Sequence, residues 1–275
     1  MSERRRAVLV LPDAPLDPTL ADARAAREDH EIVAVLAGDG GWYAALAVAG
    51  ALSTEDAGTL LDAVRVAAAS APAAEQVVFP QTDAAWRRDA RLVSALDGAL
   101  ALGDGQIHRS LDLGAYAVMT GTPAGVELLT SALPAISVGE QRYPLLLPAR
   151  PSLHTPMALD VAPQMRAIAE RLDWRMPDVT IIDGRGVRHT PWSTSPSALR
   201  DATEAQLVQT VRFAAALHVA LREYAPDVIV IAGGSGILAT VCAQLVVGEG
   251  YHGIRSRRAF AEAQRRRPLV LSMRH

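Results

Sequence analysis

The stretch Val-Leu-Ala-Gly-Asp-Gly-Gly-Trp-Tyr-Ala-Ala-Leu, residues 35–46, decides the fold of this chain. The apolar run Ile32–Leu36 predicts a short buried strand, a glycine-dense turn follows it at once, and the alanine- and leucine-rich residues beyond favour a helix. Strand, sharp turn and helix in immediate succession are the context of a nucleophile elbow, whose middle residue is usually serine or cysteine. The middle residue here is Asp39. The sequence therefore predicts the shape of an elbow and leaves its chemistry open.

Length and composition bound the class of protein. The chain has 275 residues, of which 50% are hydrophobic, enough for one large packed domain with or without a smaller one. Its net charge of −3 shows no excess of basic residues of the kind that binds nucleic acid. No charge-free apolar run is long enough to span a membrane. A single cysteine, Cys242, permits no disulfide within the chain, which suits a reducing compartment. We expect a globular, cytoplasmic protein that binds neither nucleic acid nor membrane.

Strand and helix patterns alternate along the chain. Apolar runs at Ala7–Leu11, Val179–Ile182 and Asp227–Ile231 predict further strands, with helical patterns between them. A β-α-β-α-β run within residues 75–147, including a predicted helix over Thr82–Leu96, predicts a small α+β subdomain. The alternation predicts an α/β fold with a mostly parallel sheet.

Five motifs, in this order along the chain, resemble those of the malonyl-CoA:acyl carrier protein transacylase family, which includes the acyltransferase domains of polyketide synthases. The motifs are Gly38–Ser53, Gly121–Glu127, Pro151–Met157, Gln206–Phe213 and Gly233–Leu238. The first is similar to the family's G-H-S-L-G-E-Y-A-A-L-x-x-A-G-x-L-S, and the third looks like its P-F-H-T-P-L-M. The resemblance extends over most of the chain.

The resemblance implies both a fold and a division into domains. The fold is α/β, with a mostly parallel sheet, a hydrolase-like nucleophile elbow and a small inserted ferredoxin-like α+β subdomain. Residues 1–74 and 148–275 would form the large acyltransferase-like domain, and residues 75–147 the small subdomain.

The resemblance also implies a set of site residues. In the family, a serine at the elbow takes malonyl from coenzyme A and passes it to the phosphopantetheine thiol of a carrier protein, with a histidine as base. His154 falls on the base, and Gln206 falls on the group whose main-chain carbonyl orients it. Gly40 falls on a backbone N–H that stabilises the oxyanion, and Asp39 on the nucleophilic serine. No cofactor or metal is implied.

Three departures from the family concern the chemistry itself. Asp39 places a carboxylate at a helix N-terminus, which favours the ionised, weakly nucleophilic form. The arginine that pairs the malonyl carboxylate falls on Val64, with Arg65 as its neighbour. The family's glutamine-bearing loop after the first strand is replaced by Asp13–Leu16, and the segment from there to the elbow is shortened.

These departures favour a divergent transacylase-like protein of fatty-acid or polyketide biosynthesis that does not acylate itself. It would act as a binding or assembly partner of acyl carrier protein or another biosynthetic enzyme, with acyl-CoA as a possible ligand. Trp42 and the shortened entry region could form the partner surface. The alternative is an active acyltransferase or thioester hydrolase that uses His154, with Asp39 or a bound water in altered chemistry.

Other candidate sites are weaker. Gly234, Gly236 and Ala239 match a G-x-G-x-x-A pattern, so a nucleotide-binding module through the loop Gly233–Gly236 is a third hypothesis. The seven histidines and Cys242 show no metal-ligand spacing, which predicts no metal site. The six arginines within residues 255–267 are typical of a solvated helix face, or of a surface that attracts an acidic carrier protein or coenzyme A phosphates.

Overall fold

The computed structural model describes residues 4–70 and 73–274. Its strands are β1 (Arg5–Leu11), β2 (His30–Ala37), β3 (Ala73–Pro80), β4 (Ile107–Asp112), β5 (Tyr116–Gly121), β6 (Ile136–Val138), β7 (Gln141–Tyr143), β8 (Leu145–Pro151), β9 (Thr180–Ile182), β10 (Arg188–His189), β11 (Val228–Ile231) and β12 (Val270–Ser272). Its α-helices are α1 (Leu16–Asp29), α2 (Trp42–Val48), α3 (Thr54–Ser70), α4 (Ala90–Leu102), α5 (Pro123–Ala132), α6 (Ala162–Ala169), α7 (Pro196–Val208), α8 (Phe213–Tyr224), α9 (Gly236–Gly248) and α10 (Arg257–Arg266). Three short 3₁₀ helices lie at Asp39–Gly41, Pro156–Ala158 and Tyr251–Gly253.

The large sheet has the strand order β10-β9-β2-β1-β11-β12, and every pairing in it is parallel except that of β10 with β9. In strand β1, the residues after Arg5 and Arg6 are all apolar and buried. Ala7, Leu9 and Leu11 pack into the core on one face of the sheet, whereas Val8 and Val10 pack into the core on the other. Both faces are covered, so a run without polar residues is required. The predicted α/β fold with a mostly parallel sheet is confirmed.

The small sheet has the order β4-β5-β3-β8 and is antiparallel throughout. Helices α4 and α5 follow its first and third strands in chain order, which gives the β-α-β-β-α-β connection of a ferredoxin-like unit. This confirms the expected ferredoxin-like insertion. The domain division at residues 75 and 147 stays a prediction.

The sequence patterns misplaced parts of the small sheet. The helix predicted over Thr82–Leu96 begins only at Ala90. The Asp83 carboxylate accepts the backbone N–H groups of Ala85 and Arg87 and closes a turn, which competes with a helical backbone. Strand β4 was not predicted, because its polar residues gave no apolar run.

Two attachments hold the small sheet to the large domain. Beside β4, the N–H of Asp112 donates to the Val211 carbonyl at 2.8 Å, and the N–H of Val211 donates to the Ser110 carbonyl at 2.9 Å. At the other end, the ring of Trp86 lies edge-on to Phe260 at 6.0 Å, with the guanidinium of Arg257 5.4 Å from its centroid. Trp86 has a φ of 67°, in the left-handed region that bulky residues avoid. The docking of its ring therefore offsets an unfavourable backbone conformation.

The structure also bears on the membrane and cysteine expectations. Among the described residues, no helix combines the length and apolarity needed to cross a membrane. Cys242 is fully buried, and burial raises the pKa of its thiol above the ordinary value. A thiol in this state is a small core residue with little nucleophilic character.

Candidate active site

The elbow predicted after β2 is present in the backbone. Gly38 donates its N–H to the Leu11 carbonyl at 2.8 Å, the 3₁₀ helix Asp39–Gly41 follows, and α2 begins at Trp42. A Cβ on Gly41 would overlap the main-chain oxygen of Leu11, so the turn passes the end of β1 too closely for any other residue. The Asp39 side chain lies outside the part of the chain that the structure describes, so its role stays a prediction.

His154 lies just beyond β8 and is bound to the end of helix α7. Its backbone N–H donates to the Leu207 carbonyl at 2.6 Å, and its Nδ1 lies 2.5 Å from the Gln206 carbonyl oxygen. The last carbonyls of a helix have no partner within the helix, so they are available to accept hydrogen bonds from outside. His154 has a φ of 61°, an uncommon conformation for a residue other than glycine. The helix end thus holds both the backbone and the ring of this histidine.

The Gln206 contact decides the tautomer of the neutral His154 ring. A carbonyl oxygen can only accept a hydrogen bond, so Nδ1 must carry the proton. Nε2 is then the acceptor nitrogen of the ring and can take a proton from a reacting group. The arrangement is chemically suited to a general base.

Three of the four predicted site residues line one cavity of about 250 Å³. They are Gly40 at the elbow, His154 and Gln206, and the buried Tyr43 of α2 lies among them. Asp39, the fourth, is adjacent to Gly40 in the chain. The tertiary structure therefore brings His154 and Gln206 to the elbow, although they are 114 and 166 residues away from Gly40 in the sequence.

The other walls of the cavity come from helix α3 and from the small sheet. Helix α3 contributes Val64, which is 6% exposed, and Arg65, whose guanidinium pairs with Asp62 at 3.0 Å. The small sheet contributes Ser110 of β4 and Arg150 of β8. The cavity is thus a cleft between the large sheet and the small one.

Asp13 is a cavity residue that the sequence analysis did not assign to the site. It follows β1, lines the cavity and is exposed. A Cβ on Gly40 would clash with the Asp13 carboxylate, which places that carboxylate against the elbow backbone. A carboxylate is an acceptor and cannot donate to an oxyanion. The sequence showed that the glutamine loop was replaced, but only the fold shows that an acid stands beside Gly40.

The position of Trp42 contradicts the expectation that it forms part of a partner surface. Its side chain is 0% exposed, and its indole N–H donates to Thr203 Oγ1 on α7 at 2.8 Å. The ring also lies edge-on to His189, with centroids 6.4 Å apart. The prediction that Trp42 contributes to a surface was wrong, because an aromatic residue at the start of α2 falls on the core side of the elbow.

His189, on β10, forms a second polar site with the turn that follows β9. Its Nε2 lies 3.1 Å from Asp183 Oδ2, and Arg185 donates to the same carboxylate at 2.6 Å. Backbone N–H groups of Arg185 and Val187 donate to Asp183 Oδ1. Burial alone raises the pKa of Asp183, but the hydrogen bonds from His189 and Arg185 outweigh it and hold that pKa below its ordinary value.

The loop proposed for nucleotide binding is already occupied by a carboxylate. The Gly233 N–H donates to Asp22 Oδ2 at 2.9 Å, and Arg274 pairs with the same carboxylate at 2.6 Å. A phosphate at Gly233 would meet the negative charge of Asp22, so the loop is unsuited to a dinucleotide. Within residues 4–70 and 73–274, no group of three or more His, Cys, Asp or Glu could hold a metal ion.

The parallel sheet, the elbow, the ferredoxin-like insertion and the cleft with its histidine define the acyltransferase class of α/β fold. The chain has the fold of malonyl-CoA:acyl carrier protein transacylases and of polyketide synthase acyltransferase domains.

Three solved structures illustrate the likeness. The acyl-carrier-protein S-malonyltransferase from Burkholderia pseudomallei 1710b matches 94% of this chain and 99% of its own, with 16% identity and a TM-score of 0.72. The corresponding enzyme from Vibrio cholerae matches 87% and 94%, with 16% identity and a TM-score of 0.71. The acyltransferase domain of an iterative polyketide synthase in enediyne biosynthesis matches 98% and 72%, with 23% identity and a TM-score of 0.69. No protein-family profile and no curated protein sequence matches the chain.

Proposed function

We propose that this protein is a divergent, transacylase-like binding protein of fatty-acid or polyketide biosynthesis that does not acylate itself. It shares its fold with proteins named as malonyltransferases of acyl carrier protein and with a polyketide synthase acyltransferase domain. It retains a cleft of about 250 Å³ between its two sheets, into which an acyl thioester could extend. Acyl carrier protein, another biosynthetic enzyme or acyl-CoA are its expected partners.

The observation that carries this proposal is the residue at the elbow. Transacylation through an enzyme ester needs a hydroxyl or thiol at that point, and the chain has Asp39 there. A carboxylate would form a mixed anhydride with the acyl group, which water cleaves readily. The Asp13 carboxylate beside Gly40 adds a second acid to the elbow, and Val64 gives an aliphatic wall instead of a guanidinium. Each of these features disfavours the malonyl carboxylate.

A second candidate function is thioester hydrolysis, and the His154 geometry favours it. With Nδ1 bound to the Gln206 carbonyl, Nε2 could accept a proton from a water molecule that attacks the thioester carbon. The carboxylate product and the free thiol would then leave without an enzyme ester.

Intact-mass analysis after incubation with malonyl-CoA and other acyl-CoAs tests the first proposal. We expect no adduct on the wild-type protein, and an acyl adduct on Asp39→Ser if the remaining site is competent. Asp39→Asn is the matched control, because it removes the charge without supplying a hydroxyl, and it should stay unmodified. An adduct on the wild-type chain, or acyl transfer to a carrier protein that His154→Ala abolishes, would overturn the proposal.

Release of free coenzyme A distinguishes the second candidate. Catalysed release by the wild-type protein that is lost in His154→Ala, without any adduct, would support hydrolysis. Release at the uncatalysed rate in both proteins would eliminate it.

A further inference from the structure

We propose that the cleft selects an acyl thioester whose acyl group carries a positive charge, that is an aminoacyl thioester. Asp13 sets this preference, and Arg150 binds the phosphate of the arm that carries the acyl group. The inference rests on the proposed function, binding of acyl thioesters, and names the substrate class of that same site.

The elbow wall supplies the first argument. Asp13 lines the cleft, is exposed, and has its carboxylate against Gly40, where the acyl group of a bound thioester would lie. A carboxylate attracts an ammonium group and repels a second carboxylate. An acyl group with an amine at its free end is therefore favoured at the elbow over one that ends in an acid.

Helix α3 supplies the second argument. Leu61 and Val64 give this wall an aliphatic surface, and Val64 is 6% exposed. Arg65 also lines the cleft, but its guanidinium is ion-paired with Asp62 at 3.0 Å, and its side chain is 60% exposed. The charge of Arg65 is therefore shared with an acid and screened by water, so it compensates poorly for the acid at the elbow.

The small sheet supplies the third argument. Arg150, near the end of β8, lines the cleft and is exposed, and its guanidinium has no hydrogen bond or ion pair within the described residues. A guanidinium binds phosphate through parallel N–H bonds. A cleft of about 250 Å³ is too small to enclose an acyl group together with a whole phosphopantetheine arm, so we assign the exposed Arg150 to the phosphate at the far end of that arm.

The ligand therefore has a cationic head, an uncharged arm and an anionic end. Coenzyme A and the prosthetic arm of a carrier protein share this arm and phosphate. Glycyl and malonyl groups on each of the two sources distinguish them.

The experiment is calorimetric titration with isosteres in which a methylene replaces the thioester sulfur, so that hydrolysis cannot occur. Glycyl, acetyl and malonyl groups are compared on coenzyme A, and glycyl and malonyl groups on a carrier protein. We expect the glycyl ligand to bind about tenfold more tightly than the malonyl ligand, with acetyl between them, since each exposed charge pair changes affinity by up to about fivefold. A preference on only one carrier assigns the arm to that source.

Two variants, each with a matched control, assign the preference to its residues. Asp13→Asn should remove the glycyl preference, whereas Asp17→Asn, an equal charge change at an exposed position outside the cleft, should leave it intact. Arg150→Gln should weaken all phosphate-bearing ligands about threefold to fivefold without altering their order. Arg142→Gln, an equal charge change at an exposed position on β7 outside the cleft lining, should have no such effect.

Equal glycyl and malonyl affinities in the wild-type protein, or a malonyl preference, would overturn the inference. So would a glycyl preference that persists in Asp13→Asn. Intact mass, recorded on the same preparations with the natural thioesters, reports separately on the proposed function. An adduct there contradicts the lack of self-acylation, whereas the titrations decide the charge preference.

Discussion

Two histidines, His154 at the cleft and His189 on β10, differ in the groups that their imidazole rings contact and therefore in the roles that they can take. His154 binds a neutral carbonyl at a helix end, is only partly buried and lines a cavity. His189 binds the buried carboxylate of Asp183, has Thr194 Oγ1 at 3.2 Å from its other nitrogen, and is 3% exposed. The first ring lines a cleft that a ligand could enter, whereas both nitrogens of the second contact side chains of the fold. The motif Pro151–Met157 distinguished His154 in the sequence, but nothing there distinguished His189.

The two sites are physically joined. The Trp42 ring lies edge-on to His189, and its N–H binds Thr203, one turn before the Gln206 carbonyl that holds His154. A disturbance of the structural histidine could therefore reach the cleft through α2 and α7. Substitutions at Asp183, Trp42 and His154 distinguish the structural site from the cleft.

Asp183→Ala should lower the free energy of unfolding by about 3 kcal/mol, because it leaves a buried histidine, an arginine and two backbone N–H groups without their acceptor. Chemical denaturation measures the loss. Asp173→Ala is the control: its ion pair with Arg175 is between side chains that are 68% and 65% exposed, so its removal should cost far less than the removal of Asp183. Equal losses in the two variants would contradict the structural role of the Asp183 site.

The Asp183 site should also make the free energy of unfolding depend on pH in the acid range. The pKa of Asp183 is lowered on folding, so its contribution is fully present above the unfolded-state pKa of about 3.9 and is lost as pH falls through the folded-state pKa. The stability difference between the wild-type protein and Asp183→Asn should therefore shrink as the pH is lowered below about 4. Urea titrations at a series of pH values would show this. A difference that grows towards acid pH would reverse the assigned direction of the pKa shift.

Trp42→Phe should cost about 1 kcal/mol, since it removes the hydrogen bond to Thr203 and keeps most of the apolar ring. Thr203→Val removes the same bond from the other side. The losses of the two variants should be less than additive in the double variant if the bond is real. Strict additivity would show that the two residues act independently.

His154→Ala should change the free energy of unfolding by less than about 1 kcal/mol, because the ring is only partly buried and lies in a cleft. His154→Gly should be at least as stable as His154→Ala, since glycine adopts a φ of 61° without the left-handed penalty. Thermal denaturation of both variants measures this. A loss as large as that of Asp183→Ala would place His154 among the structural residues.

Much of the fold was predictable because its signals are local. The short apolar runs within Ala7–Leu11 and Asp227–Ile231 favour strands buried on both faces, and both strands lie in the large sheet. Strand β4 was not predictable, because it is held by its pairing with β5 and by the hydrogen bond between the Val211 N–H and the Ser110 carbonyl. The start of α4 was missed because the Asp83 side chain binds the backbone N–H of Ala85 and forms a turn there. The burial of Trp42 was likewise a tertiary outcome, decided by the side of the elbow against which α7 packs.

The sequence by itself determined the elbow, its aspartate and the histidine motif, because each is a short stretch whose residue types carry the information. The glycines at 38, 40 and 41 specify the turn, and Asp39 shows that the nucleophile position carries a carboxylate and not a hydroxyl. Only the tertiary structure decided what surrounds them, since the Gln206 carbonyl, the Asp13 carboxylate and the Arg150 guanidinium come from three distant segments. Charge acts through space rather than along the chain, so the polarity of the cleft exists only once the two sheets have closed around it.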